Sequence, residues 1–109
     1  MTTQEVAGMI EEIGLPFAYY EFEDDTAHAP PFICFMFTDT ADSFADNINY
    51  TDIKTLVIEL YTAAKSYELE NTVRAVLLAH GLPYRADFAK IDAEKLYITT
   101  YTTEVLING

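Results

Sequence analysis

Apolar side chains recur at intervals of three and four positions near the start of the chain, at Val6, Met9, Ile10 and Ile13. This spacing predicts an α-helix with one face directed to a core. Thr2 and Glu5 are spaced as a capping box at its start. Gly14 is suited to the left-handed position after the last turn, and Pro16 prevents continuation.

A second helix is predicted in the segment YELENTVRAVLLAHG, with Ser66 as its N-cap. Its apolar stripe comprises Leu69, Val73, Val76, Leu77 and His80. Gly81 and Pro83 end it in the same way as the first helix ends. The tripeptide GLP therefore occurs twice, at 14–16 and 81–83. The sequences that flank the two tripeptides do not match. A common way of ending two helices is therefore favoured over an internal duplication.

Strand patterns occupy the segments 16–22, 32–37, 55–61, 84–91 and 95–107. In the third segment, Leu56, Ile58 and Leu60 alternate with other side chains and take one face. The second segment, FICFMF, is apolar throughout, which suggests a strand covered on both faces. The helices can cover one face, and a partner subunit is a candidate for the other.

The element order is therefore α-β-β-β-α-β-β. Consecutive strands without crossover helices favour antiparallel pairing. We predict a single α+β domain over residues 1–109. It should have two layers: a mostly antiparallel sheet of about five strands, with two helices on one face.

The charge is strongly acidic and uneven along the chain. The formal net charge is −12, and every one of the six lysines and arginines follows residue 53. Such a chain is not expected to bind nucleic acid through phosphate neutralisation, and anionic membranes should repel it. No apolar run approaches the roughly 20 residues of a membrane span, and no secretion signal is expected. The acidic surface is then a solvated face, a surface that repels DNA, or one that imitates DNA.

The sequence gives no positive indication of an enzyme, and no cofactor is expected. Cys34 lies inside an apolar strand without a visible activating base, so a buried structural thiol is favoured. His28 and His80 have no partner at metal-ligand spacing. The predicted loop 38–50 resembles a calcium loop only superficially, because Phe44 stands where the turn needs glycine. A weak, non-specific cation site among Asp39, Asp42 and Asp46 stays open.

Several stretches together resemble one family, namely GLPFAYYEF, PPFICFMF, DSFADNINY, VIELYTAAKSYELE and IDAEKLYITTY. Their order and spacing are similar to a small tail terminator or tail completion protein of long-tailed phages and prophages of Gram-positive bacteria. The resemblance spans nearly the whole chain. Its most specific part combines IELYT with the later pattern E-x-LY. The longer turn EFEDDTAHA is left outside the resemblance.

The resemblance implies a structural role and no enzymatic one. Tail terminators share a small α+β fold, and they form a ring, commonly a hexamer, on the last ring of the tail tube. The resemblance implies the same fold and the same assembly for this chain. The ring stops tube growth and offers a surface to the head. The implied partners are further copies of the chain, the tail tube protein and head-tail connector proteins. The implied location is the virion, after assembly in the cytoplasm of the host bacterium.

Two groups of residues are candidates for contacts in such a ring. The first contains aromatic residues for subunit or tail contacts: Phe32, Phe35, Phe37, Tyr61, Tyr97 and Tyr101. The second contains acidic residues for a lumen or loop surface: Glu21, Glu23, Asp24, Asp25, Asp39, Asp42 and Asp46. An acidic lumen would repel DNA phosphates and ease passage of the genome.

Three alternatives stay open. A neck or head-closure protein is a close variant of the terminator. An acidic inhibitor that mimics DNA belongs to a different class, and it would form a salt-sensitive complex with a basic nuclease or repressor. A small-molecule-binding α+β domain would be stabilised against heat by its ligand.

Overall fold

The computed structural model describes residues 1–19, 29–39, 52–92 and 95–107. The elements are α1 (Thr3–Glu11), β1 (Phe17–Tyr19), β2 (Phe32–Asp39), β3 (Asp52–Thr62), α2 (Tyr67–Ala79), β4 (Arg85–Ile91) and β5 (Leu96–Ile107). Two helices and a five-stranded, mostly antiparallel sheet form an α+β fold in the predicted order. Neither described helix is long and apolar enough to cross a membrane.

Both helix starts follow the sequence closely. The Glu5 amide donates to the Thr2 hydroxyl at 3.1 Å, and the Thr2 amide donates to the Glu5 carboxylate at 2.7 Å. At α2, the Leu69 amide donates to the Ser66 hydroxyl at 3.2 Å. These bonds satisfy amides that have no partner within the helix, so the predicted caps are confirmed.

Both helices end at the glycines of the GLP tripeptides. Gly14 has a φ of 86° and Gly81 a φ of 73°, in the left-handed region that favours glycine. The chain then enters β1 or β4, which are the two edge strands of the sheet. β1 runs parallel to the strand that follows it, whereas β4 runs antiparallel to its successor. This difference in topology favours a common way of ending two helices over an internal duplication.

The strand order is β1-β2-β3-β5-β4, and three of the four pairings are antiparallel. The expectation of antiparallel pairing between consecutive strands is wrong for β1 and β2, which are parallel, with Phe17 opposite Ile33. Residues 20–31 separate the two strands, and about a dozen residues suffice for a crossover to a parallel neighbour.

Two strands are longer than the sequence pattern predicts. β2 continues through Thr38 to Asp39, and β3 begins at Asp52, with Asp39 opposite Lys54. The first two residues of the predicted loop 38–50 therefore belong to β2. The other residues of this loop lie outside the described part of the chain. A pattern of hydrophobic residues does not predict these extensions, because the residues at the strand ends are mostly polar.

The core lies between the two helices and one face of the sheet. Its buried members are Val6, Met9, Ile10, Ile13, Ile33, Phe35, Leu56, Ile58, Leu60, Val73, Leu77, Tyr101 and Val105. The predicted alternation in β3 is confirmed, because Leu56, Ile58 and Leu60 are fully buried in this core. Both described helices contribute to the same cluster, so they pack on the same side of the sheet.

Candidate functional site: the open face of the sheet

The sheet face opposite the two helices is the candidate site, and we call it the open face. Strand register places the following side chains on it: Phe32, Cys34, Met36, Val57, Glu59, Tyr61, Ile98, Thr100 and Thr102. Most of these side chains are partly exposed, whereas Cys34 is buried. These side chains combine apolar surface with hydroxyl groups and the carboxylate of Glu59.

An aromatic pair lies at one end of the open face. Phe32 is directly opposite Tyr61 in the β2–β3 ladder, and their rings stack with centroids 4.7 Å apart. The Tyr61 hydroxyl donates to the Glu59 carboxylate at 3.0 Å. The two stacked rings are partly exposed, and the hydrogen bond holds the tyrosine hydroxyl beside a carboxylate.

The open face changes in character across the sheet. Met36, Val57, Thr102 and Arg85 lie opposite one another on successive strands from β2 to β4. This row runs from apolar side chains to a threonine and then to an exposed arginine. A molecule bound to the open face would therefore meet apolar surface near β2 and charge near β4.

The structure divides the six aromatic contact candidates between different environments. Phe32 and Tyr61 lie on the open face. The prediction is wrong for Phe35 and Tyr101, whose side chains are 5% and 2% exposed and fill the chain's own core. Phe37 lies on the helix side, partly buried against the core, with its ring centroid 6.0 Å from that of Tyr19.

Tyr97 also lies on the helix side of the sheet, near the edge strand β4. Its ring stacks on Phe88 with centroids 5.7 Å apart. The Lys65 ammonium lies 3.9 Å from the centroid of the Phe88 ring and 2.9 Å from the Glu70 carboxylate. A cation above an aromatic face is attracted to it, so these four side chains form a local cluster beside β4.

Tyr101 connects the sheet to α2. Its hydroxyl donates to the Glu70 carbonyl at 3.0 Å. Burial raises the pKa of this hydroxyl well above its ordinary value, and the charges of Glu70 and Tyr84 add to the effect. The neutral phenol is thus the form that the fold accommodates.

We expect the contribution of Tyr101 to the free energy of unfolding to decrease above about pH 10. In the unfolded chain this phenol ionises near its ordinary pKa, whereas the folded protein retains the proton because its pKa is raised. The stability that Tyr101 contributes is therefore complete below about pH 10 and declines as the pH rises further. Urea unfolding of the wild type and of Tyr101→Phe should show a stability difference that is constant from about pH 7 to 9 and shrinks above about 10. A difference that stays constant to about pH 11 would contradict this assignment.

The acidic lumen candidates are mostly not described. Glu21, Glu23, Asp24, Asp25, Asp42 and Asp46 lie outside the described residues. Asp39 is the last residue of β2, where its backbone pairs with Lys54, so its placement in a loop is wrong. The proposed cation site among Asp39, Asp42 and Asp46 lies largely outside the described part of the chain. Within that part, no cluster of three potential metal ligands occurs.

The histidine at the end of α2 contacts the other helix. His80 Nε2 lies 3.1 Å from both carboxylate oxygens of Glu12. This contact joins the C-terminal ends of α1 and α2 at an exposed position. The sequence places His80 on the apolar stripe of the second helix, but it gives no sign of the partner because Glu12 is 68 residues away. The other histidine, His28, lies outside the described residues.

A depression of about 620 Å³ opens beside the start of β4 and is lined in part by Pro83, Tyr84 and Arg85. Its lining also includes Thr102, Thr103 and Glu104, so polar groups form much of the wall. Small-molecule sites are usually enclosed and mostly apolar. The shape and polarity of this depression therefore do not favour the small-molecule alternative.

Comparisons with family models, curated proteins and solved structures gave no match to this chain.

Proposed function

We propose that this chain is a structural assembly protein of the tail terminator type. Copies would form a ring, commonly a hexamer, at the head-proximal end of a phage tail tube, where the ring stops tube growth and joins the head. The observation that carries the proposal is the open face, where apolar and aromatic side chains are partly exposed on the side away from both described helices.

The chemistry of the open face suits contact with another protein. Phe32, Met36 and Tyr61 belong to residue types that are enriched in protein interfaces. Thr100 and Thr102 supply hydroxyl groups that can form hydrogen bonds across such an interface. A neighbouring subunit, the tail tube protein or a connector protein would complete the partial burial of these side chains.

The net charge suits a ring through which DNA passes. Six copies at −12 each carry a formal charge of −72. Charge of this sign repels phosphate, so a lumen wall that carries it would not retain the genome. The protein would reside in the virion and assemble in the cytoplasm of the host bacterium.

Deletion of the gene from the parent phage tests this function directly. We expect electron micrographs to show headless tails of abnormal length, because growth of the tube is no longer stopped. Expression of the wild-type chain from a plasmid should restore tails of normal length joined to heads. Deletion mutants that produce normal, head-joined tails would refute the proposal. Deletion mutants with tails of normal length that do not join heads would assign the chain to the neck or head-closure variant.

The acidic inhibitor is the second candidate, and the net charge of −12 favours it. Such an inhibitor would place carboxylates over one surface at roughly the spacing of phosphates. It predicts a complex with a basic nuclease or repressor that dissociates as salt is raised from about 50 to 200 mM. A terminator does not require any such complex.

A further inference from the structure

The edge strand β4 has the features of a pairing surface. It is the outermost strand of the sheet on the side opposite β1, and six of its seven residues are exposed. An exposed strand edge presents unpaired backbone groups that can pair with another strand. β4 also lies apart from Phe32, Met36, Val57 and Tyr61, the apolar and aromatic members of the open face on β2 and β3.

The sequence around β4 is complementary to itself when read in reverse. It runs Tyr84, Arg85, Ala86, Asp87, Phe88. In an antiparallel pair centred on Ala86, each Arg85 lies opposite an Asp87 and each Tyr84 lies opposite a Phe88. We propose that β4 pairs with β4 of a second copy of this chain in this register.

The charged side chains are placed for this arrangement. Strand register puts Arg85 and Asp87 on the same face of the sheet, opposite Thr102 and Thr100. Within one chain, Arg85 Nε lies 3.6 Å from Asp87 Oδ2, and the two side chains are 77% and 67% exposed. Directly opposite residues of paired strands have Cα atoms about 4.5–5.5 Å apart. Each arginine can therefore reach the aspartate of the other copy, which gives two ion pairs related by a two-fold axis.

The aromatic side chains meet on the other face. Phe88 is 47% exposed, so its ring has surface left to bury. Tyr84 is partly buried, with its ring 5.6 Å from that of Tyr101. In the proposed register, the partner's Phe88 lies directly opposite Tyr84 on this face. Aromatic pairs across strands stabilise sheets, so this contact adds to the two ion pairs.

Association through β4 stops at two copies, because each copy has one β4 edge and the pair occupies both. It produces one continuous sheet of the ten described strands, with the described helices of both copies on one side and both open faces on the other. The inference goes beyond the proposed function and does not rest on it, since the β4 edge and the apolar part of the open face are different surfaces. The opposing possibility is that the charges of β4 protect the edge from association, which predicts a monomer.

Charge reversal tests the register. Arg85→Asp places two carboxylates opposite each other in each cross-strand pair, and Asp87→Arg places two guanidinium groups opposite each other. Each single variant should therefore raise the dimer dissociation constant about tenfold or more. The double variant restores two opposite-charge pairs and should again dimerise. An equimolar mixture of the two single variants should form a heterodimer in which one pair matches two introduced charges and the other matches the two native ones.

Sedimentation equilibrium at low salt measures these constants, with a wild-type species of twice 12.3 kDa expected. Arg74→Asp and Glu11→Arg are matched controls at exposed helical positions and should leave the constant unchanged. A wild type that is monomeric at every concentration overturns the proposal. An assembly of any size that none of the charge reversals weakens also overturns it.

A cysteine at the two-fold axis gives an independent test. Ala86→Cys should form an intermolecular disulfide on mild oxidation, because opposite residues lie within the Cα separation that a disulfide requires. Ala89→Cys is the control, since in this register position 89 lies opposite Pro83. The native Cys34 is buried and is common to both variants. Equal cross-linking at 86 and 89, or none at 86, contradicts the register.

Discussion

Replacing Leu60 by alanine is expected to lower the free energy of unfolding by about 3 kcal/mol. Leu60 is fully buried in β3, between Ile33 of β2 and Thr99 of β5. The substitution removes apolar contacts on both sides and leaves a cavity that the paired strands cannot close without breaking the ladder. Urea unfolding followed by circular dichroism measures the loss.

Leu78→Ala is the matched control for this substitution. Leu78 lies on α2 and is 51% exposed, so its truncation removes few contacts. We expect a change within about 0.5 kcal/mol. If the two variants lose the same stability, the assignment of Leu60 to the core and of Leu78 to the surface is wrong.

Replacing Val57 by lysine is expected to abolish the assembly that we propose for the open face. Val57 lies in the centre of this face, between Met36 and Thr102, and is partly exposed. In the single chain the lysine ammonium can reach water, so folding should be retained. In an assembled interface the same charge would be buried without a partner, which is strongly unfavourable.

Complementation of the deleted phage measures this effect. Val57→Lys should fail to restore tail length, whereas Leu78→Lys, a control on the exposed surface of α2, should restore it. Circular dichroism and thermal unfolding verify that both variants fold. A folded Val57→Lys protein that restores normal tails would remove the open face from the assembly. It would leave the β4 pairing untouched, because that contact is measured in solution with different variants.

The helices could be predicted from the sequence almost to the residue. Their signals are local: Thr2 with Glu5 and Ser66 with Leu69 are three residues apart, and each glycine follows its own helix. Hydrogen bonds between such near neighbours do not depend on the rest of the fold. The alternation in β3 is equally readable, because only one face of that strand meets the helices.

The partners of the strands could not be predicted in the same way. Tyr97 and Tyr101 have the same parity in β5, yet Tyr101 is buried under α2 and Tyr97 stacks on Phe88 near the sheet edge. The difference depends on where the helix crosses the sheet, which no local pattern encodes. The parallel pairing of β1 with β2 and the aromatic pair on the open face likewise depend on long-range register.

The central ladder also affects how the chain can fold. β3 pairs with β5 along its whole length, from Asp52 opposite Ile107 to Thr62 opposite Tyr97, and the intervening chain contains α2 and β4. Every rung of this ladder therefore closes a long loop, and the entropy of closure is lost before the contacts form. Proteins dominated by such non-local pairing fold on a millisecond-to-second scale, more slowly than helical bundles. The long-range pairing of β3 with β5 therefore implies slow folding for so short a chain.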